Sequence, residues 1–107
     1  MSKLVRLWTD DAGRSVFAEG PLELSPTAVT SIHLEQTAAG GALDWHVAPH
    51  RQYVVTLSGT LRFTTRAGNT SVLGTGDVLL AEDTAGSGHR WELIDDQPWR
   101  RLYVDLA

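Results

Sequence analysis

The sequence predicts a single all-β domain of short antiparallel strands that spans residues 1–107. Its apolar segments are short and rich in Val, Leu, Thr and aromatic residues, and Gly, Pro, Asn or Asp separates them every several residues. The gaps are too short for helical crossovers, which favours a sandwich, jelly roll or small barrel over an α/β fold. The length allows one hydrophobic core, and the chain contains no internal repeat.

The turn residues divide the chain into ten predicted strands. In order, these lie near residues 4–8, 14–18, 28–35, 43–48, 52–58, 60–66, 70–73, 77–81, 89–95 and 99–106. Turns are expected where Gly, Pro, Asn or Asp clusters, at residues 20–21, 38–41, 58–59, 67–69 and 74–76. At most one helical turn is expected, near Leu22 to Ser25. The glycine-rich segment 82–88 is expected to form a loop that binds or gates a ligand.

Composition excludes several classes of protein. The hydrophobic fraction of 42% and charged fraction of 21% are those of a soluble globular domain. A net charge of −4 gives no cationic excess, so no nucleic-acid partner is expected. Without cysteine, any metal must be held by nitrogen and oxygen ligands. Residues 1–10 lack the apolar core of a signal peptide and no apolar run is long enough to cross a bilayer, so a cytoplasmic location without membrane contact is expected.

The middle of the chain predicts an interior face with polar residues at one end. Side chains alternate along a strand, so one face should carry His46, Ala48, His50, Gln52, Val54 and Thr56. This face is polar first and apolar later, as expected of a barrel with an open mouth and a packed floor. The opposite face is also mostly apolar; it carries Trp45, Val47, Arg51, Tyr53, Val55 and Leu57. We therefore expect the N-terminal strands or a second subunit to cover it, and a homodimer is the natural expectation.

Two segments resemble the motifs of the cupin superfamily, G-x5-H-x-H-x3,4-E-x6-G and G-x5-P-x-G-x2-H-x3-N. The matching residues are Gly40, His46, Pro49 and Gly59 in the first motif and Gly76, Asp77 and His89 in the second. The second match has a loop two residues longer than the motif and lacks its proline. The resemblance covers nearly the whole chain and implies a compact jelly-roll barrel, often dimeric, with a site inside its mouth.

Departures from these motifs bear on metal binding. Ala48, Gln52 and Leu93 stand where the family has histidine, glutamate and asparagine. The family sites that the resemblance implies hold a metal with three histidines and one carboxylate. Here His46, Gln52 and His89 remain as ligands, with His50 as a substitute on the same predicted face. A divalent metal such as Zn, Ni, Fe or Mn is therefore the less favoured interpretation, because an imidazole and an anion are missing.

Three functions fit these residues. In the first, His46 and His89 act as general acid and base in the isomerisation, dehydration or cyclisation of a carbonyl compound, and His50, Gln52 and Trp91 contact the substrate. In the second, His46, Gln52 and His89 hold a divalent metal for oxygenation or Lewis-acid chemistry. In the third, the barrel binds a small molecule without catalysis. No dinucleotide, nucleotide-triphosphate, zincin or α/β-hydrolase motif is present.

Each of these side chains also has a purely structural interpretation. His46 and His89 are then buried histidines hydrogen-bonded to the backbone or to Gln52, and Trp91 fills the core. His33, Glu35 and Asp44 could add groups to the pocket, but each alone is predicted to lie at the surface. The remaining charges are predicted to be solvated at loops and strand ends; they are Glu82, Asp83, Asp95, Asp96, Arg100 and Arg101.

Overall fold

The computed structural model describes residues 2–107, which form strands and no helix. The ten strands are β1 (Lys3–Thr9), β2 (Ser15–Pro21), β3 (Val29–Thr37), β4 (Ala42–His46), β5 (Gln52–Ser58), β6 (Leu61–Thr65), β7 (Thr70–Leu73), β8 (Val78–Ala81), β9 (His89–Leu93) and β10 (Trp99–Leu106). Every predicted strand is present: β5, β7 and β10 have the predicted bounds, and the ends of the others differ by at most three residues. The all-β class is confirmed, and no helical turn forms at residues 22–25.

The strands form two sheets that enclose one core. The six-stranded sheet has the order β2-β1-β8-β5-β10-β3 and the four-stranded sheet the order β4-β9-β6-β7. Side chains from both sheets pack together in the core, including Leu7 and Val54 from the first and Phe63 and Leu93 from the second. This arrangement buries the inward face of each sheet against the other.

One strand pair departs from the antiparallel prediction. β1 and β8 are parallel, with Leu4 opposite Val78 and Leu7 opposite Ala81, whereas the other described pairs are antiparallel. Parallel strands need a long connection. Six strands lie between β1 and β8 in sequence, so no tight turn fixes their relative direction.

The predicted interior face is correct for β5 and only in part before it, because Ala48 is buried whereas His50 is exposed. Gln52, Val54 and Thr56 are buried and alternate with more exposed residues. However, β4 ends at His46, and residues 47–51 form no strand. Pro49 lies in this gap, and it lacks the N–H that a ladder needs. The face therefore does not run continuously from His46 to Gln52.

The turn predicted at Gly20 and Pro21 is also wrong. Both residues continue β2, opposite Leu4 and Lys3 of β1. β2 is the edge strand of its sheet, where a proline at the strand end removes no needed hydrogen bond.

The outer face of the six-stranded sheet has no covering layer among residues 2–107. β1 and β2 extend this sheet instead of folding across it, so the expectation that the N-terminal strands cover it is wrong. Ile32 is 62% exposed and Leu34 51%. The apolar character predicted for this face is real, and it is partly open to solvent.

Candidate functional site

His46 and His89 meet across the β4–β9 pair. They are direct cross-strand partners, and their ring centroids lie 4.4 Å apart with the ring planes tilted by 58°. The next pair along the ladder is Leu43 with Trp91, so β4 has two residues where β9 has only Arg90. This is a β-bulge. Because cross-strand partners share a face, the bulge places Leu43 and His46 on the same side of β4 although they are three positions apart.

Each ring has its Nδ1 atom engaged by an acceptor. Nδ1 of His46 lies 2.8 Å from the backbone oxygen of Asp44, and Nδ1 of His89 lies 2.6 Å from Oδ2 of Asp83. A carbonyl or carboxylate oxygen only accepts, so in both rings Nδ1 carries the hydrogen. Neither Nε2 atom is hydrogen-bonded to a described residue, and neither is fully buried. Both Nε2 atoms are therefore available for proton transfer or for binding a ligand.

Burial shifts the titration of His46. It lowers the pKa of this imidazole below its ordinary value of 6.5, and the nearby His89 lowers the pKa further, while the Asp44 carbonyl and the Asp83 charge oppose the shift. The ring is consequently neutral at pH 7 and presents a basic Nε2.

Asp83 is the residue of this site that the sequence analysis misassigned. It is fully buried, and its Oδ2 accepts hydrogen bonds from Ser15 Oγ at 2.8 Å and from His89 Nδ1. Its Oδ1 has no partner among the described residues. The prediction of a solvated charge is wrong because the chain keeps its strand alternation past the end of β8, so that Asp83 follows the buried residues Leu79 and Ala81 on the inward side. That alternation was the available signal.

The loop 82–88 is fastened to the β1–β2 hairpin. Four hydrogen bonds that involve backbone atoms join them: Glu82 N–H to Leu7 O at 2.7 Å, Thr9 Oγ1 to Ala85 O at 2.8 Å, Ser87 N–H to Gly13 O at 2.9 Å and Ser15 N–H to Ser87 Oγ at 2.9 Å. Glu82 also pairs with Arg6 and Arg51, at 2.7 and 2.8 Å, so it is not the solvated charge predicted. These contacts argue against a gating role, and they hold Asp83 in place.

Gly88 is required where β9 begins. Its φ is +76°, and a Cβ there would lie 2.6 Å from the backbone oxygen of His46. Gly88→Ala is expected to lower the free energy of unfolding by about 2–4 kcal/mol, from backbone strain plus steric overlap. Gly68→Ala is the matched control, since Gly68 has φ +88° but open space around it, and about 1 kcal/mol is expected. Equal losses in urea denaturation would show that the close approach to His46 is absent.

Gln52 and His50 both line one cavity of the molecule. The cavity has a volume of about 370 Å³ and is lined by His33, Glu35, Leu43, Pro49, His50, Gln52 and Tyr103. Gln52 is only 7% exposed, yet its amide makes no hydrogen bond with a described residue and is not fully buried. A buried amide without a partner favours a ligand that supplies one. The two histidine rings are not among the lining residues, but Leu43, on their side of β4, is.

His50 does not join the histidine pair. It is about half exposed, and its Nε2 lies 2.7 Å from Oδ1 of Asp105 without hydrogen-bond alignment, so this is an ion-pair contact when His50 is protonated. The hydrogen bond from Ser31 and then the proximity of His50 lower the pKa of Asp105. His33 stacks on Tyr103 at 5.1 Å and contacts Glu35 at 3.2 Å. These residues form the rim of the cavity.

The two tryptophans of the β4–β9 pair have different surroundings. Trp91 is half-buried, and its ring meets that of Trp99 edge to face with centroids 4.9 Å apart. Trp45 lies on the outer side, where the guanidinium groups of Arg66 and Arg90 stand 4.0 and 5.1 Å from its ring centroid. A second concavity, of about 440 Å³, lies beside Arg62 and Arg90 on this sheet. Arg62 is paired there with Glu92 at 2.7 Å.

The side chains present do not form a metal site. Among the described residues, no group of three or more His, Cys, Asp or Glu side chains is arranged to hold an ion. His46 and His89 supply two nitrogen donors, and the carboxylate nearest them, Asp83, is engaged by Nδ1 of His89. Two imidazoles and one neutral amide fall short of the ligand sets that bind Zn or similar metals tightly.

Comparison with known proteins adds no relative. No protein-family model matches the chain, and no curated protein matches it either. In the part of the chain that the structure describes, there is no helix with the length and apolar character needed to traverse a membrane.

Proposed function

We propose that the protein is a small cupin-type jelly-roll enzyme that moves protons within a carbonyl compound, in an isomerisation, dehydration or cyclisation. The observation that carries this proposal is the pair His46 and His89, 4.4 Å apart, with both Nδ1 atoms held and both Nε2 atoms available. Fixed orientation and a free nitrogen are what a general acid or base needs. In this proposal the substrate occupies the cavity lined by Gln52 and His50, and Leu43, which also lines it, lies on the side of β4 that carries His46.

The two rings have different roles in the proposed reaction. His46 is neutral, and its Nε2 takes a proton from the carbon next to the substrate carbonyl. The electrons of that C–H bond form a C=C bond, and the carbonyl oxygen takes the proton from Nε2 of a protonated His89. Asp83 stabilises the positive charge on His89 and fixes its orientation, as the buried aspartate does in a catalytic triad. His46 then returns its proton to another carbon, or gives it to a β-hydroxyl group that leaves as water, while His89 takes back the proton from the enol oxygen and the carbonyl forms again.

Gln52 orients the substrate in this proposal. Its amide is buried at the cavity and has both donor and acceptor capacity to offer. Trp91, two positions after His89 on the same side of β9, provides an aromatic wall. His50 contributes at the rim, where its imidazole already contacts Asp105.

Hydrogen exchange in heavy water tests the proposal without knowledge of the natural substrate. The probes are pyruvate, phenylpyruvate and acetylacetone, and NMR follows the loss of their α-protons. We expect the protein to accelerate exchange of at least one probe above the rate given by the same concentration of imidazole. Exchange at the imidazole rate for all three would contradict proton transfer and leave the non-catalytic binding protein as the better interpretation.

We also propose a homodimer that covers the outer face of the six-stranded sheet. This face exposes Ile32, Leu34 and Leu57, and no described segment of the chain covers it. Exposed apolar patches of this kind mark interfaces. Light scattering should give twice the chain mass of 11.7 kDa, and Ile32→Lys should reduce it to that of one chain. A single-chain mass for the unmodified protein at high concentration would contradict the dimer.

A further inference from the structure

Arg101 carries a buried positive charge without a carboxylate partner. The residue is 5% exposed, which corrects the prediction of a solvated arginine. Its guanidinium donates only to neutral acceptors: Thr37 Oγ1 at 2.7 Å, Trp99 O at 3.2 Å and Tyr103 Oη at 3.3 Å. A buried cation costs several kcal/mol unless an anion compensates it. Its compensation is therefore missing from the part of the chain that the structure describes.

The nearest acidic neighbour in the ladder does not supply that anion. Glu35 is the cross-strand partner of Arg101 on β3, but its carboxylate contacts His33 at 3.2 Å, and no ion pair joins it to Arg101. The guanidinium instead lies 4.0 Å from the ring centroid of Trp99. This stacking fixes the plane of the guanidinium and leaves its edge for a ligand.

The side chain is placed where a ligand could reach it. Arg101 alternates with exposed Arg100 on β10, so it faces the interior between the sheets. Tyr103 and Glu35, which adjoin it, both line the cavity of about 370 Å³. Nη2 donates no hydrogen bond to a described residue and is not fully buried. Arg101 is not itself a lining residue, but one of its guanidinium nitrogens keeps some exposure, and its neighbours Tyr103 and Glu35 connect it to the cavity wall.

We propose that Arg101 binds the carboxylate of a small organic acid that occupies this cavity. A guanidinium matches a carboxylate in shape and charge. A single arginine beside Glu35 suits a monoanion better than a phosphate, which carries more charge and needs more donors. The inference deepens the proposed function and rests on it for one point only, that this acid is the substrate whose carbonyl group reaches His46 and His89.

Binding of an unreactive acid tests the inference separately from catalysis. The probe is 3-phenylpropionate, compared with its neutral amide and with inorganic phosphate, and the readout is the tryptophan fluorescence of the protein, to which Trp91 and Trp99 contribute. We expect the carboxylate to bind about 10–100-fold more tightly than the amide. Arg101→Gln should abolish this preference, while Arg100→Gln, which removes the same charge on the opposite side of β10, should keep it.

Several outcomes would overturn the anion site. Equal binding of acid and amide would do so in the unmodified protein, without any question of whether a variant folds. Preference for phosphate would overturn the carboxylate class, and equal losses in Arg100→Gln and Arg101→Gln would indicate a general charge effect. Preferential carboxylate binding without hydrogen exchange would support the anion site and reject the proposed function, whereas exchange without carboxylate preference would do the reverse.

Discussion

Replacement of Asp83 by alanine is expected to lower the free energy of unfolding by about 3–5 kcal/mol, the cost of breaking a buried ion pair by removing one partner. Asp83 is completely buried, and both Ser15 and His89 direct hydrogen-bond donors at its Oδ2. With alanine in place, these two donors lose their acceptor in a region that water does not reach freely. Urea denaturation followed by tryptophan fluorescence measures the loss.

Two further variants separate folding from catalysis at this position. Asp83→Asn keeps the shape of the side chain but removes the negative charge and lets His89 adopt the other tautomer. We expect it to slow hydrogen exchange by roughly 10²–10⁴-fold, by analogy with the aspartate of a catalytic triad. Asp11→Asn, at an exposed turn, is the control and should change neither quantity. If Asp83→Ala were as stable as the Asp11 control, the buried pair would not exist.

Loss of either imidazole is expected to have the largest effect on activity. His46→Gln and His89→Gln should each reduce the rate of hydrogen exchange by roughly 10²–10⁴-fold, the usual contribution of a general acid or base. Because the two rings are proposed to act as a unit, the double variant should be little slower than either single one. His50→Gln, whose ring contacts Asp105 at the rim, should reduce the rate by less than about tenfold.

If the fold-losses in exchange rate of the two single variants multiplied in the double variant, the proposal that His46 and His89 act as a unit would be contradicted. The comparison requires that each variant remain folded, which circular dichroism and denaturation establish. If His46→Gln is folded and exchanges at the original rate, His46 is not the base.

The pH dependence follows from the lowered pKa of His46. The base form of His46 is lost as the pH falls through its folded pKa, below 6.5, so the exchange rate should fall there. In the unfolded chain the ring takes up a proton at its ordinary pKa of 6.5, whereas folding lowers this pKa and so opposes protonation. Stability should therefore decrease as the pH falls below 6.5, and His46→Gln should remove this part of the slope.

The strand pattern could be predicted because turn chemistry is local. Gly59 and Gly76, with φ of +85° and +87°, lie at turns that the sequence located, and the alternation of Gln52, Val54 and Thr56 placed them correctly inside. The expectation that His46 and His89 face one another was likewise met in the geometry. Side-chain periodicity carries this information within one strand and needs no knowledge of distant neighbours.

The rest depended on non-local pairing. The bulge at Asp44 and Trp45 breaks the alternation of side chains along β4, and the sequence of residues 42–46 alone does not predict it. The charges of Asp83 and Arg101 suggested solvent exposure, since such residues are rarely buried. Their burial follows from partners distant in sequence, Ser15 for Asp83 and Thr37 for Arg101. The charge of these two residues predicted exposure wrongly, whereas the alternation of side chains along β10 and past the end of β8 placed both on the inward side.

The most direct test is the protonation pattern of the two rings, measured by long-range ¹H–¹⁵N NMR correlation at pH 7.5. Hydrogen on Nδ1 of both His46 and His89, an unprotonated Nε2 on His46, and a nuclear Overhauser effect between the rings are the expected result. Hydrogen on Nε2 of His46, loss of the hydrogen from Nδ1 of His89, or no Overhauser contact between the rings would contradict a cooperating pair in which His46 is the base.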